Sequence, residues 1–315
     1  MKLAFVFPGQ GSQSVGMMRD YGEDPVIRQT FDEASTALDT NLWTMVEAGP
    51  EAVLNQTANT QPVMLTADIA VYRAWLAAGG AQPDVAAGHS LGEYAALVAA
   101  GALKLSDAVR LVRTRGEAMQ AAVPEGEGGI AAILGLDAVQ VADACSIASQ
   151  GEVVSPANLN APGQIVISGK KSAVERAIEQ CKAMGAKRGV MLPMSVPAHC
   201  ELMKPAGRVL GDALAALDIS SPAFPVVNNV DVSVVAEANG ISDALIRQLH
   251  RPVRWIEVVT ALETAHGATH IVECGPGKVL HGLVRRIVSN SVSMTLSSSQ
   301  AIRDTIGSIS QGSSA

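Results

Sequence analysis

Apolar residues along this chain come in two rhythms. Short unbroken runs alternate with longer segments in which apolar residues recur every three to four positions. The first rhythm marks buried strands and the second amphipathic helices. Over the first 120 residues the spacing predicts a strand at 3–7, a helix at 66–76 closed by Gly79-Gly80, and a strand at 85–87. Helices follow at 93–100 and at about 106–121, the latter with Ser106 as N-cap. Such alternation predicts an α/β body.

Gly126-Glu127-Gly128-Gly129 interrupts the rhythm. Beyond it the pattern predicts a strand at 130–134, a helix at 137–149, and strands at 153–159 and 164–168 around Pro162-Gly163. A helix at 172–184 and a strand at 187–192 complete the set. The order β-α-β-β-α-β is that of a ferredoxin-like unit. The chain therefore reads as a large discontinuous α/β domain, residues 1–125 and 196–300, with a small α+β subdomain, 126–195, inserted into it. In the second part of the body, strands are expected at 224–228 and 270–273, and helices at 242–250, 253–265 and 278–288. The Ser- and Gly-rich end, 301–315, is expected to be a flexible tail.

Composition narrows the function. The chain has 315 residues, 48% of them hydrophobic but only 3% aromatic, so its core must be aliphatic. A net charge of −7 without a basic run argues against a nucleic-acid partner. No apolar run approaches the roughly 20 residues of a membrane span. Cys145, Cys181, Cys200 and Cys274 are scattered without a C-x-x-C pair. They read as reduced thiols of a cytoplasmic protein with neither disulfides nor a metal site. A monomer is expected.

The candidate chemistry centres on Gly88-His89-Ser90-Leu91-Gly92, between an expected strand and an expected helix. Strand, G-x-S-x-G, helix is the nucleophile elbow, which exposes a serine on a strained turn at a helix N-terminus. Gly9-Gln10-Gly11 ends the first strand, where loops line the ligand crevice of an open α/β sheet. It is no dinucleotide fingerprint, because position 14 is serine. Arg115 falls on the apolar stripe of its helix, four residues from Leu111 and from Met119. A core-facing guanidinium needs a partner, either a structural carboxylate or a ligand carboxylate. Serine also needs a base. Of six histidines, His199 is the best placed, in the loop returning from the inserted unit to the main body. His89 should point away from its serine neighbour. Gly275-Pro276-Gly277-Lys278 does not have the spacing of a P-loop.

Taken together, Phe7-Pro8-Gly9-Gln10-Gly11, Gly88-His89-Ser90-Leu91-Gly92-Glu93-Tyr94, Asn158 to Gln164, Val196-Pro197-Ala198-His199-Cys200 and Gly275-Pro276-Gly277-Lys278 resemble the malonyl-CoA:acyl carrier protein transacylases of fatty acid synthesis. The match spans nearly the whole chain. The resemblance implies a hydrolase-like α/β core with a mainly parallel sheet and a ferredoxin-like insertion. It implies Ser90 as nucleophile, His199 as base and Arg115 as clamp on the malonyl carboxylate. The N–H groups of Gln10 and Leu91 would form the oxyanion hole, and a main-chain carbonyl near Gln248 would steady His199. Gln10 and Asn160 would contact substrate beside Arg115. The implied partners are malonyl-CoA and an acidic acyl carrier protein whose phosphopantetheine arm accepts the acyl group, with no bound cofactor and no metal. Lys187, Arg188, Arg285 and Arg286 are the candidate carrier patch. Ala198 stands where the family pattern expects serine, which bears on acyl size. The rivals are a serine thioesterase, which has no use for Arg115, a polyketide acyltransferase, and a non-catalytic carrier-binding scaffold.

Overall fold

The computed structural model describes residues 1–194 and 196–312. Among them nine strands form two sheets: β1 (Leu3–Phe7), β2 (Val85–Gly88), β3 (Gly128–Leu134), β4 (Val154–Ala161), β5 (Gln164–Lys170), β6 (Arg188–Met191), β7 (Val226–Val227), β8 (His270–Glu273) and β9 (Val292–Thr295).

The first sheet has the order β7-β2-β1-β8-β9, and every neighbouring pair is parallel. Both faces are covered, as parallel sheets require. The alternation along β1 shows how. Leu3, Phe5 and Phe7 pack into one core with the Thr57–Ala77 helix, while Ala4 and Val6 face a second core built with the Trp255–Thr264 and Val279–Ile287 helices. In register, Phe7 lies beside Gly88 and Val6 beside Glu273. The loops leaving β1, β2 and β8 therefore converge at one end of the sheet.

The second sheet, β4-β5-β3-β6, is antiparallel throughout. With the Ala138–Ser149 and Lys171–Ala183 helices on it, it encloses its own core of Ile133, Val141, Ile165, Ile167, Val174 and their neighbours. Residues 128–191 thus follow the β-α-β-β-α-β order.

Three local expectations change. The helix expected at 66–76 begins at Thr57 and holds Pro62 inside it. The helix expected from Ser106 runs Leu105–Ala122 with Lys104 at the N-cap, and no side chain caps it. The expected tail at 301–315 instead forms the helix Ser299–Gly312. It is anchored by buried Ile302 and Ile309, and Ser298 Oγ accepts the Ala301 N–H at 3.0 Å. Among the described residues no helix is long and apolar enough to cross a membrane.

Candidate active site

The turn from β2 into the Gly92–Ala99 helix sits at the convergent end of the parallel sheet. Its serine is held in the left-handed region, Ser90 φ +53°, which a non-glycine residue adopts only under constraint. Two glycines make the turn possible. A Cβ on Gly88 would lie 1.9 Å from the Gly92 carbonyl carbon, and one on Gly92 would lie 2.0 Å from the Phe7 carbonyl oxygen. The elbow is pinned from outside by Asn229, whose Oδ1 accepts the Ser90 N–H at 2.8 Å and whose Nδ2 donates to Gly88 O at 2.7 Å.

His199 faces the serine. Ser90 Oγ and His199 Nε2 are 2.7 Å apart, and His199 Nδ1 is 2.7 Å from the main-chain oxygen of Gln248. A carbonyl can only accept, so Nδ1 carries the proton and Nε2 offers its lone pair to the serine hydroxyl. His199 also has a left-handed backbone, φ +63°, and its N–H donates to Leu249 O at 2.9 Å. Burial above all, and then the nearby Arg115 cation, push its imidazole down to about 3, so at neutral pH the ring is an uncharged base.

Arg115 completes the centre. It is 2% exposed, and its hydrogen-bond partners among the described residues are all neutral. Nη1 donates to Gln61 Oε1 at 2.7 Å, and Nη2 donates to Ser90 Oγ at 3.2 Å and to Gln248 Oε1 at 3.1 Å. Its Nε is buried without a partner among them. Glu93 is linked to it through the Gln248 amide, which donates to Glu93 Oε2 at 2.9 Å. The guanidinium is stacked 5.4 Å above the Tyr94 ring. Burial raises the Glu93 carboxyl to about 7, partly offset by its bonds from Gln248 and the Asn229 N–H.

The loop after β1 lies against this turn. A Cβ on Gly9 would be 2.4 Å from His89 O and 3.6 Å from Leu91 N. Among the described residues neither the Gln10 nor the Leu91 N–H is taken up by a protein acceptor, so both donors beside the serine remain available. His89 points away from Ser90, as its position in the turn predicts. Its Nε2 is 2.8 Å from Asn160 Oδ1, and its ring meets Trp255 edge-on. Asn160 thus joins the second sheet to the elbow. Elsewhere, His281 bonds Ser293 and His270 bonds Thr269. No cluster of three or more His, Cys, Asp or Glu among the described residues is set to hold a metal.

The fold assembles Ser90, His199, Arg115, Gln10, Leu91 and Gln248 from five separate stretches of the chain. Sequence reasoning missed Gln61, Glu93, Asn229 and the Gln248 side chain. The signal available for them was polarity at positions the helical stripe buries, as at Gln61 and Glu93.

The model of the acyl transferase domain family matches residues 4–308. The malonyl CoA-acyl carrier protein transacylase of Salmonella typhimurium is 53% identical over 302 residues, 96% of this chain and 97% of that protein. The chain belongs to this transacylase family. Its relative from Bacillus subtilis is 49% identical over 290 residues, 91% of this chain and 90% of that one. The solved transacylase of Coxiella burnetii superposes with a TM-score of 0.96 at 49% identity, covering 98% of this chain and 97% of that chain. A malonyl-transacylase solved in complex with a type II PKS acyl-carrier protein gives 0.96 at 48% identity over 98% of this chain and 100% of its own. The α/β architecture and the acyltransferase class are those of the family.

Proposed function

We propose that this chain moves the malonyl group of malonyl-CoA to the phosphopantetheine thiol of an acyl carrier protein by way of a malonyl ester on Ser90. The observation that carries the reading is Arg115. A buried cation with only neutral hydrogen-bond partners, one nitrogen unpartnered and another 3.2 Å from the serine oxygen, suits an acyl chain that ends in a carboxylate.

Ser90 Oγ attacks the thioester carbonyl as its proton passes to His199 Nε2, and the Gln248 carbonyl steadies the imidazolium through Nδ1–H. The oxyanion is met by the Gln10 and Leu91 N–H groups. Collapse breaks the C–S bond, and the CoA sulfur takes the proton from His199. The carrier's thiol then attacks the serine ester, giving its proton to His199, and the regenerated hydroxyl recovers that proton as the thioester leaves. Thioester is exchanged for thioester, so the steps run either way. They use no bound cofactor, because the phosphopantetheine arm belongs to the carrier. Asn160, 2.8 Å from His89 beside the elbow, is proposed as a further substrate contact.

We place the carrier, an acidic protein met in the cytoplasm by a monomeric enzyme, on a patch of Lys187, Arg188, Arg285 and Arg286. Several contacts support that grouping. Arg286 Nη2 donates to Pro162 O at 3.0 Å, and the Lys187 side chain lies against Gly135, itself next to Gly163. Complementary charge there would act mainly on encounter rate. A second reading, the same transfer to a polyketide carrier, is favoured by the likeness to the malonyl-transacylase solved with such a carrier.

The test is intact mass after incubation with malonyl-CoA. The wild type is expected to gain one malonyl group on Ser90. Ser90→Ala is expected to gain none, with transfer lower by several orders of magnitude. Hydrolysis outrunning transfer would instead identify a thioesterase.

A further inference from the structure

Between the Arg115 guanidinium and the loop after β1 runs a line of hydrogen bonds that the reaction as drawn does not use. Arg115 Nη1 donates to Gln61 Oε1 at 2.7 Å, Gln61 Nε2 donates to Thr57 Oγ1 at 2.9 Å, and Thr57 Oγ1 donates to Gln10 Oε1 at 3.0 Å. Gln61 and Thr57 are buried. They reach Arg115 because the Thr57–Ala77 and Leu105–Ala122 helices cross closely at Gly116, where a Cβ would come within 2.7 Å of Ala58 Cα.

The direction of the line is set from one end. A guanidinium only donates, so Gln61 must turn its carbonyl oxygen to Arg115 and its amide to Thr57. The Thr57 oxygen then accepts, and its single proton goes to Gln10. Gln10 must turn its own carbonyl oxygen inward. Its Nε2 makes no hydrogen bond among the described residues. Gln10 lies between Gly9 and Gly11, the latter at φ +108°, so its neighbours do little to fix it. The bond from Thr57 is the hydrogen bond that anchors its side chain.

We propose that Thr57 is a positioning residue for acyl transfer: it passes the polarity of Arg115 to Gln10 and so holds in one orientation the residue whose N–H meets the oxyanion. This rests on the reading of Ser90 and Gln10 given above. A donor fixed before the reaction stabilises developing charge more than one that must be reoriented.

The experiment is the single-turnover rate of malonyl-serine formation at saturating malonyl-CoA, measured by rapid quench and mass spectrometry. It compares wild type, Thr57→Val, Thr57→Ser, Gln10→Ala and the Thr57→Val/Gln10→Ala double variant. Valine keeps the shape of threonine but neither donates nor accepts. Thr57→Val is expected to slow acylation about tenfold, the size of one lost hydrogen bond, with the KM for malonyl-CoA little changed. Thr57→Ser should recover most of the rate. In the Gln10→Ala background Thr57→Val should cost nothing further, because its route of action is already gone. A wild-type rate in Thr57→Val, no recovery in Thr57→Ser, or the same slowing in both backgrounds would overturn the proposal. Should Thr57→Val not fold, Thr57→Ala takes its place in the cycle. An adduct on a residue other than Ser90 would defeat the underlying reading, whereas these arms defeat only the role of Thr57.

Discussion

Arg115 carries the discrimination at the scale of single residues. Burial lowers its pKa, and the partly compensating influences come from Tyr94 and Glu93. With malonyl-CoA the buried cation gains a carboxylate partner. With acetyl-CoA it stays unpaired, a penalty of roughly 3–5 kcal/mol, or on the order of 10²–10⁴ in kcat/KM. Arg115→Ala removes both the attraction and the penalty. Malonyl transfer should fall heavily while acetyl transfer suffers less, so the malonyl-to-acetyl ratio of kcat/KM should collapse toward unity. Arg115→Lys should restore only part of it, because an ammonium cannot make the planar two-point contact. The check is that ratio in variants whose circular dichroism matches wild type. An unchanged ratio would make Arg115 a structural residue. The sequence left its partner open between protein and ligand carboxylate. The neutral partners Gln61, Ser90 and Gln248 are drawn from distant segments, and no local pattern announces them.

At the scale of elements, the elbow was legible because its constraint is local: glycine, strain and helix start lie within five residues. The β-α-β-β-α-β unit was legible for the same reason, each turn being marked by Gly or Pro. Where tertiary packing overrides local signal, the reading fell short. Thr57, Thr60 and Gln61 look like a polar lead-in, yet they are buried helix, satisfied by bonds such as Thr60 Oγ1 to Leu54 O at 2.6 Å. The helix Ser299–Gly312 looked like tail because so few of its residues are apolar. Buried Ile302, Thr305 and Ile309 nevertheless anchor one face. The steric claim at the elbow is testable. In Gly92→Ala the new methyl would meet the Phe7 carbonyl at 2.0 Å, backbone against backbone, so neither side can yield cheaply. A loss of several kcal/mol, or of soluble protein, is expected. Gly282→Ala is the control. It lies inside the Val279–Ile287 helix with nothing within 4 Å of the new methyl, and should gain about 0.5–1 kcal/mol. Denaturant midpoints of the two variants decide, and equal midpoints would remove the steric account.

For the molecule as a whole, the base of the convergent end carries a charge problem that should show in its stability. Asp68 is fully buried inside the Thr57–Ala77 helix, and neither carboxyl oxygen has a partner among the described residues. Gly275, in the loop after β8, passes so close that a Cβ there would lie 2.3 Å from Asp68 Oδ1 and 2.7 Å from Pro8 Cγ. The carboxyl thus sits under the two loops that frame the site. Burial first, and then the Glu273 carboxylate, hold Asp68 well above the usual carboxylate range, and burial pushes Glu273 itself up to about 7. Both folded values exceed those of the unfolded chain, about 4. Protonated carboxyls bind their protons more tightly in the folded state, so their contribution is complete below about pH 4. It is lost as pH rises, through about 7 for Glu273 and beyond for a group held higher. The native state should therefore weaken between pH 5 and pH 8. Asp68→Asn keeps the shape and cannot ionise. Its denaturation midpoint should fall less than that of wild type over the same interval, and at pH 8 it should be the more stable protein. Parallel curves for the two proteins from pH 5 to pH 8 would mean that Asp68 keeps its charge compensated at neutral pH.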